Sequence, residues 1–270
     1  MFRTALRIAC GINGMKPSPS IPVAPVPAEL DWELWQGPAP RRPYKDNIHP
    51  YNWHWFWATG GGDTANQGPH QFDIARWGLN KNEHPVKIMS AGGFYGISPS
   101  ECEQETPNTQ TSLFTYKDGK MLEFETRGRF TNAEGGLEIR IGNLFYGSDG
   151  YLEIDGSTWK AYRKREKEPF AGSGTTSKEP ADPTFLAAPG GTEHFANFLD
   201  AIRSGKDETL NCNMLEGHMS SSLPILANIS YKLGRELTFD GANERFVKNK
   251  AADAMLTRNY RKPYIVPKTV

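Results

Sequence analysis

The sequence has few cysteines, no excess of charge of either sign and no long apolar run. Its three cysteines, Cys10, Cys102 and Cys212, lie far apart in 270 residues and match neither a disulfide framework nor the spacing of a zinc site. Thirty-one basic side chains balance 31 acidic ones, so the charge indicates neither nucleic acid nor an anionic membrane as partner. No apolar run approaches the roughly 20 residues of a membrane-spanning helix. We therefore expect a soluble globular protein.

The first 50 residues differ from the rest of the chain. Residues 1–12 fit one short strand or helix, and they are too short and interrupted for a persuasive signal peptide. Residues 16–50 carry nine prolines, which exclude a continuous helix and predict an arm that wraps the domain. The cytoplasm is the default compartment, and export stays open if a segment outside this sequence carries a signal.

Residues 51–79 combine aromatic, glycine and hydrogen-bonding residues, and form the strongest candidate site. Aromatic residues lead into a triple glycine at 60–62, where the backbone can turn tightly and a ligand can approach closely. An amphipathic helix is predicted next, ending near Gly78. Its first turns carry the polar residues Asp63, Asn66, Gln67, His70 and Asp73. Because a segment that only builds core would not concentrate such groups, we interpret it as a site.

Periodicity changes after this helix. Between residues 86 and 162, short segments alternate apolar and polar residues as half-buried strands do, with turn signals between them. Amphipathic helices are predicted at 193–204 and 214–233. These patterns predict an α+β fold, with a large, mostly antiparallel β-sheet and helices packed on one face. The other face would stay uncovered, so we expect it to be the interface of a homo-oligomer.

The segment G-G-G-D-T-A-N-Q-G-P-H-Q-F-D at 60–73 resembles the glycine-rich motif, ending in H-x-x-D, of the glucose–fructose oxidoreductase/inositol dehydrogenase family, Gfo/Idh/MocA. The strands after it and the ending N-Y-R-K-P-Y-I-V-P resemble the family's second domain. The resemblance implies that residues 51–270 form a C-terminal substrate-binding and oligomerisation domain. Residues 1–50 are then an N-terminal remnant and a wrapping arm. It also implies a sugar or cyclitol substrate, oxidised or reduced with NAD or NADP.

Two departures from the family pattern limit this implication. No G-x-G-x-x-G follows a predicted strand, and no Glu-Lys-Pro segment supplies the family's catalytic lysine. We therefore expect this chain alone to bind no cofactor and to transfer no hydride, with NAD or NADP belonging to the full-length family architecture. In addition, Asn66 stands four residues before His70, where the family has an acid. An amide orients a hydroxyl but does not exchange a proton near neutral pH.

The candidate catalytic residues are His70, Asn66 and Asp63. Histidine ordinarily titrates near neutral pH, so His70 is the candidate base for a substrate hydroxyl. The alternative is a histidine that hydrogen-bonds near a helix start. Asp63 is the candidate replacement for the acid lost at Asn66. Asp73 is expected to orient His70 or to brace the helix.

The candidate substrate-binding residues are Trp53, His54, Trp55, Gln67, Asp73 and Arg127. Trp53, Trp55 and Trp57 can stack on a sugar face, but alternate aromatics equally suit a buried strand or turn. His54 either reaches the ligand or is a structural histidine. Arg127 either binds a polar substrate group or forms a cross-strand ion pair.

Other interpretations compete with the oxidoreductase half. His54, Asp63, His70, His194 and His218 offer metal-ligand types, but none shows the close pairing of a strong zinc motif, so we expect no metal. A stand-alone, cofactor-free carbohydrate-binding module is one alternative. A keto-sugar lyase or hydratase, using His70 and an acid, is the other.

Overall fold

The computed structural model describes residues 3–7, 21–96, 100, 102–127, 141–155, 158–173 and 192–265. Residues 8–20, which belong to the predicted N-terminal remnant and arm, lie outside the described residues, as do residues 128–140 within the predicted run of strands. The described part contains one sheet with helices on one face. Within that part, no helix is long and apolar enough to cross a membrane.

Ten strands form the sheet in the order β10-β9-β2-β3-β4-β1-β5-β6-β7-β8. In chain order they are β1 (Arg3–Arg7), β2 (Lys87–Gly93), β3 (Thr109–Thr115), β4 (Met121–Arg127), β5 (Gly142–Tyr146), β6 (Gly150–Asp155), β7 (Trp159–Arg163), β8 (Ala171–Gly172), β9 (Leu237–Asp240) and β10 (Arg245–Phe246). The predicted antiparallel character is confirmed, with one parallel pair, β1 beside β4, among the described strands. The insertion of β1 between β4 and β5 was not predicted, because pairing across more than 100 residues leaves no local pattern.

The hairpin between β3 and β4 illustrates how local sequence sets the sheet. Gly119 has a φ of 82°, in the left-handed region that glycine tolerates best. The side chain of Asp118 accepts a hydrogen bond from the Lys120 amide at 3.1 Å, and the Tyr116 amide donates to the Lys120 carbonyl at 2.9 Å. The predicted turn at 117–120 therefore joins two antiparallel strands directly.

Six α-helices accompany the sheet in the described part. They are α1 (Trp32–Gln36), α2 (Gly62–Asn66), α3 (Gly68–Leu79), α4 (Thr192–Ser204), α5 (Met214–Leu233) and α6 (Lys250–Asp253). The long helix α5 begins where the Asn213 side chain accepts from the Glu216 amide, and it ends at Gly234 with φ 63°. Helix α3 passes the predicted stop at Gly78 and ends one residue later, because Asn80 takes the left-handed cap conformation.

Along the central strands, buried and more exposed side chains alternate, and the buried ones face the helices. On β3 and β4 every second side chain is buried, including Phe114, Leu122 and Phe124. These side chains pack against Phe72 of α3 and Leu223 of α5 in the main core. The opposite face carries a mixture of apolar and charged side chains, among them Met89, Leu113, Glu123 and Glu125. The predicted arrangement of helices on one face is therefore confirmed.

A second, smaller core holds the proline-rich segment against the domain. Its buried members are Trp32, Tyr44, Ile48, Trp55, Phe56 and Cys102. Trp32 stacks on Trp35 at a centroid distance of 4.7 Å and donates its indole N–H to the Arg42 carbonyl at 2.8 Å. Arg261 ties the C-terminal tail to this segment, since its guanidinium donates to the Ala39 carbonyl at 3.1 Å and pairs with Glu33.

Replacing Phe124 by Ala should lower the free energy of unfolding by about 3–5 kcal/mol, because the ring stacks on Phe72 at 4.3 Å and its removal leaves a cavity. The neighbouring Glu123→Ala, on the open face, should cost under about 0.5 kcal/mol. Urea unfolding of both variants measures the difference. Equal destabilisation by the two would contradict the assignment of the faces.

Candidate functional site

The glycines of the candidate site allow the chain to pack against itself. The 3₁₀ helix Asn52–Trp55 precedes them. Gly60 lies so close to this helix that an added Cβ would stand 2.4 Å from the Cα of His54. Gly62 has a φ of 70°, which places the start of α2 in a turn that favours glycine. The close approach inferred from the sequence is therefore made, at Gly60, by the protein's own backbone.

A buried polar network fixes this glycine loop to the sheet and to α5. Thr64 donates to the Gln110 side-chain oxygen at 3.0 Å. Gln110 donates in turn to Ser90 at 3.0 Å and to Asn228 at 3.2 Å. Asn228 donates to the Gly61 carbonyl at 2.8 Å. Since buried polar groups are costly without partners, these bonds define one position for residues 60–64.

His54 and Asp63 face each other in the interior. Asp63 is only 3% exposed. His54 Nδ1 lies 2.8 Å from the Tyr51 carbonyl, so Nδ1 carries the proton and donates it. His54 Nε2 therefore turns its lone pair toward Asp63 Oδ1, which is 3.8 Å away, and it has no hydrogen-bond partner among the described residues. Trp55 donates its indole N–H to the same carboxylate oxygen at 3.3 Å.

Burial shifts the pKa of both Asp63 and His54. Burial raises the pKa of Asp63 to about 6, and the hydrogen bond from Trp55 offsets only part of that rise. Burial also lowers the pKa of His54, against the hydrogen bond to Tyr51. Asp63 thus titrates in the range of a general acid or base, but its side chain is shielded from solvent in this structure.

The remaining polar residues of the motif are more accessible. Asn66 and Gln67 are half-buried where α2 meets α3, and His70 is exposed in the first turn of α3. Asp73 accepts a hydrogen bond from Ser220 at 2.7 Å, which braces α3 against α5 as one of the two predicted roles requires. The side chain of His70 is therefore exposed, and Asp73 holds helix α3 against α5.

Arg127 belongs to the sheet and not to the motif helices. It ends β4, and its Nε stands 3.5 Å from Glu125 Oε1 on the same strand. Thr126, between them, points to the helix-covered face, so Arg127 and Glu125 point to the open face. The ion pair is an intrastrand one, where a cross-strand pair was one of the two expected roles.

A cavity of about 590 Å³ lies beside the glycine loop, and four of its twelve lining residues are aromatic. Three segments form it: the proline-rich segment, the 3₁₀ helix with the following turn, and the C-terminal tail. The lining residues are Trp35, Gln36, Pro38, Ala39, Pro40, Trp53, Trp57, Ala58, Thr59, Arg258, Asn259 and Tyr260. Apolar and aromatic walls with a few polar groups are typical of small-molecule sites. We call it the aromatic cavity.

The tryptophans of the motif have different environments. Trp53 is 38% exposed and lines the aromatic cavity, whereas Trp55 is 1% exposed and belongs to the second core. Trp57 also lines the cavity, and Lys232 Nζ lies 3.8 Å from the centroid of its ring. Burial, followed by the charge of Arg258, lowers the pKa of Lys232. Trp55 is therefore a core residue, whereas for Trp53 and Trp57 stacking on a sugar stays a prediction.

Sequence reasoning missed Trp35, Arg258 and Tyr260 as parts of a site. Arg258 donates to the Ala58 carbonyl at 3.1 Å, which holds the guanidinium at the cavity wall. The signals were the W-E-L-W turn in the proline-rich segment and the N-Y-R-K-P-Y ending, but no local pattern joins segments about 200 residues apart.

A family profile described as "Oxidoreductase family, C-terminal alpha/beta domain", of the GFO/IDH/MocA group, matches residues 16–145 and 176–266. No curated protein matches the sequence.

Several solved structures are similar in fold. Aldose-aldose oxidoreductase from Caulobacter crescentus, complexed with glycerol, is 15% identical with a TM-score of 0.48, covering 70% of this chain and 51% of that one. The WlbA dehydrogenase from Chromobacterium violaceum, in complex with NADH and UDP-GlcNAcA, is 16% identical with a TM-score of 0.48, covering 70% and 49%. An NAD-binding protein from Listeria innocua is 14% identical with a TM-score of 0.47, covering 88% and 55%. The chain thus spans about half the length of these proteins.

The Asp63→Asn variant should gain stability over the parent protein as the pH rises. Between the ordinary value of 3.8 and about 6, the folded protein keeps a proton on Asp63 that the unfolded chain has released. Stability attributable to Asp63 therefore falls as the pH rises through this window. The amide in the variant cannot ionise, so the advantage of the variant should grow by up to about 3 kcal/mol from pH 4 to pH 7. Urea unfolding at several pH values measures it.

The matched control is Asp200→Asn, at an exposed position, which should show no such pH-dependent difference. Parallel pH profiles for Asp63→Asn and the parent protein would contradict the raised pKa of Asp63.

Proposed function

The chain belongs to the Gfo/Idh/MocA oxidoreductase family through its C-terminal alpha/beta domain, and we propose that it is the substrate-binding half of a sugar or cyclitol oxidoreductase. The aromatic cavity is the observation that carries the proposal. Its size suits a sugar ring, and its walls supply flat indole faces. The WlbA dehydrogenase, whose structure contains NADH and UDP-GlcNAcA, is about twice as long as the part of it that this chain matches.

The cavity's chemistry favours a polyhydroxylated ring over a purely apolar ligand. A sugar ring presents C–H groups on its faces, which stack on tryptophan, and hydroxyl groups around its edge. Trp53 and Trp57 offer the faces, and Arg258 and Asn259 offer polar groups at the wall.

His70 is the proposed base for a substrate hydroxyl. Neither it nor Asn66 and Gln67 lines the aromatic cavity, so the proposal requires a substrate that extends from the cavity to α3. The His70 side chain is exposed and available to such a ligand, whereas Asp63 is enclosed. Asn66 and Gln67, at the junction of α2 and α3, are proposed to orient substrate hydroxyls. Because an amide at Asn66 does not exchange protons, His70 would act without the acid that the family pattern places beside it.

The residues described do not fit a dinucleotide cofactor. Within the described ranges, no strand leads through a glycine-rich turn into a helix, and the parallel strands β1 and β4 are not joined by a simple crossover helix. We therefore assign no step of hydride transfer to this chain. NAD or NADP is proposed for the full-length family architecture, bound outside the residues described here.

A cofactor-free carbohydrate-binding module is the second candidate, and the aromatic cavity supports it. Three segments of the described part of this chain form the cavity wall, so this candidate predicts sugar binding in the absence of nucleotide. The lyase or hydratase alternative has less support. It needs an acid beside His70, while Asp63 is enclosed and Asp73 is engaged by Ser220.

The Trp53→Ala variant should bind its sugar about 3–10-fold more weakly, which is the loss expected for one aromatic stacking contact. Calorimetric titration with D-glucose, D-galactose and myo-inositol measures affinity directly. Trp77→Ala is the matched control, since this tryptophan is 65% exposed on α3 and does not line the cavity. Loss of affinity in both variants, or in neither, would contradict binding in the aromatic cavity.

The protein is further proposed to form a homo-oligomer through the open sheet face, where Met89 and Leu113 pair across β2 and β3. Light scattering should give a multiple of the 30.1 kDa chain mass, and Leu113→Lys should shift it to the monomer. The comparison variant is Phe198→Lys on α4, whose exposed apolar stripe includes Phe195 and Ile202. If only Phe198→Lys lowered the mass to that of the monomer, the interface would lie on α4 and not on the open sheet face.

A further inference from the structure

Two histidines and a glutamate converge outside the motif. His84 precedes β2, His218 lies near the start of α5, and Glu244 is in the turn between β9 and β10. His84 Nε2 is 3.0 Å from Glu244 Oε1, and His218 Nε2 is 2.5 Å from the same oxygen. One ligand-type atom from each residue lies within 4.8 Å of the others.

Packing holds two of these groups in place. The His84 ring is buried and meets Phe239 edge-on at 5.4 Å. Gly241 approaches so closely that an added Cβ would stand 2.8 Å from His84 Cβ. Glu244 has a φ of 48°, a conformation that non-glycine residues seldom adopt and that recurs at functional sites. The turn that carries it is fixed by Asp240, which accepts from the Ala242 amide at 3.1 Å.

We propose that His84, His218 and Glu244 bind a divalent transition-metal ion, with Zn²⁺ the best match. Two imidazoles and a carboxylate are a donor set that zinc uses with three protein ligands. Ligand bonds of about 2.0–2.2 Å in a tetrahedron place donor atoms roughly 3.3 Å apart. The observed separations need only a small outward movement. His218, whose side chain is 46% exposed, has room to make it.

The surroundings leave a fourth coordination position open. A cavity of about 190 Å³ adjoins the three residues, and its lining also includes Ser221, Ser222 and apolar residues. Among the described residues that line it, none is a lysine or arginine that would repel a cation. Water or a small ligand can therefore complete the coordination.

The alternative is a carboxylate that accepts hydrogen bonds from both imidazoles without a metal. In that arrangement each ring donates from Nε2 to Glu244, and the contacts are those of an ordinary ion-pair cluster. The distances of 3.0 and 2.5 Å from the two Nε2 atoms to Glu244 Oε1 suit hydrogen bonds as well. Metal titration therefore has to distinguish the metal site from the hydrogen-bonded cluster.

The test uses the full 270-residue chain without a histidine tag, dialysed against EDTA and titrated calorimetrically with ZnCl₂. Saturable binding of one ion per chain, with Kd of about 1 µM or below, is expected. CoCl₂ should give the visible absorption bands of four-coordinate cobalt. Absence of saturable Zn²⁺ binding by the parent protein would overturn the proposal.

Variants assign the binding to these residues. His218→Ala should weaken Zn²⁺ binding by about 100-fold or more and abolish the cobalt bands, because a coordinating atom is lost. Glu244→Gln should also weaken it. His194→Ala, at an exposed histidine of α4, is the matched control and should bind like the parent. Circular dichroism verifies folding of each variant. Unchanged affinity in His218→Ala would leave only the hydrogen-bonded cluster and refute the site.

Discussion

The buried hydrogen-bond network around Gln110 is the constraint on which the site depends. It joins three elements that are distant in the sequence: β3, the glycine loop through Thr64 and Gly61, and α5 through Asn228. Each bond left unmade inside the protein would cost roughly 1–3 kcal/mol, so the network tolerates little displacement. Through it, the sheet and α5 hold Gly61 and Thr64, next to Gly60, which packs on the backbone of His54 in the 3₁₀ helix.

The proline-rich segment and the C-terminal tail complete that cavity from the other side. Arg261 holds the two together, and Arg258 connects the tail to the turn before the glycines. Neither segment has regular structure of its own around the cavity beyond the single turn of α1, so its wall depends on these contacts and on the second core. We propose that the cavity formed in this way receives the substrate. The proposed hydride acceptor would be supplied from elsewhere.

The features that could be predicted from the sequence are those with a local pattern. Alternation on β3 and β4, the turn at Gly119 and the two long helices all follow from neighbouring residues. The position of β1 and the walls of the aromatic cavity depend on contacts across 100 residues or more, which leave no such pattern. Within the motif, the sequence does not distinguish the residues that are buried from those that are exposed. Trp53 and Trp55 have the same local signature, yet one faces a cavity and the other a core.

We propose that this chain holds the substrate in the aromatic cavity and that the nucleotide binds outside the residues described. Titration with NADH and NADPH, followed by energy transfer from the seven tryptophans to the nicotinamide, tests it most directly. Because no dinucleotide-binding unit occurs among the described residues, we expect no saturable energy transfer with either nucleotide. Saturable binding in the micromolar range would contradict this proposal and would place a nucleotide site on this chain.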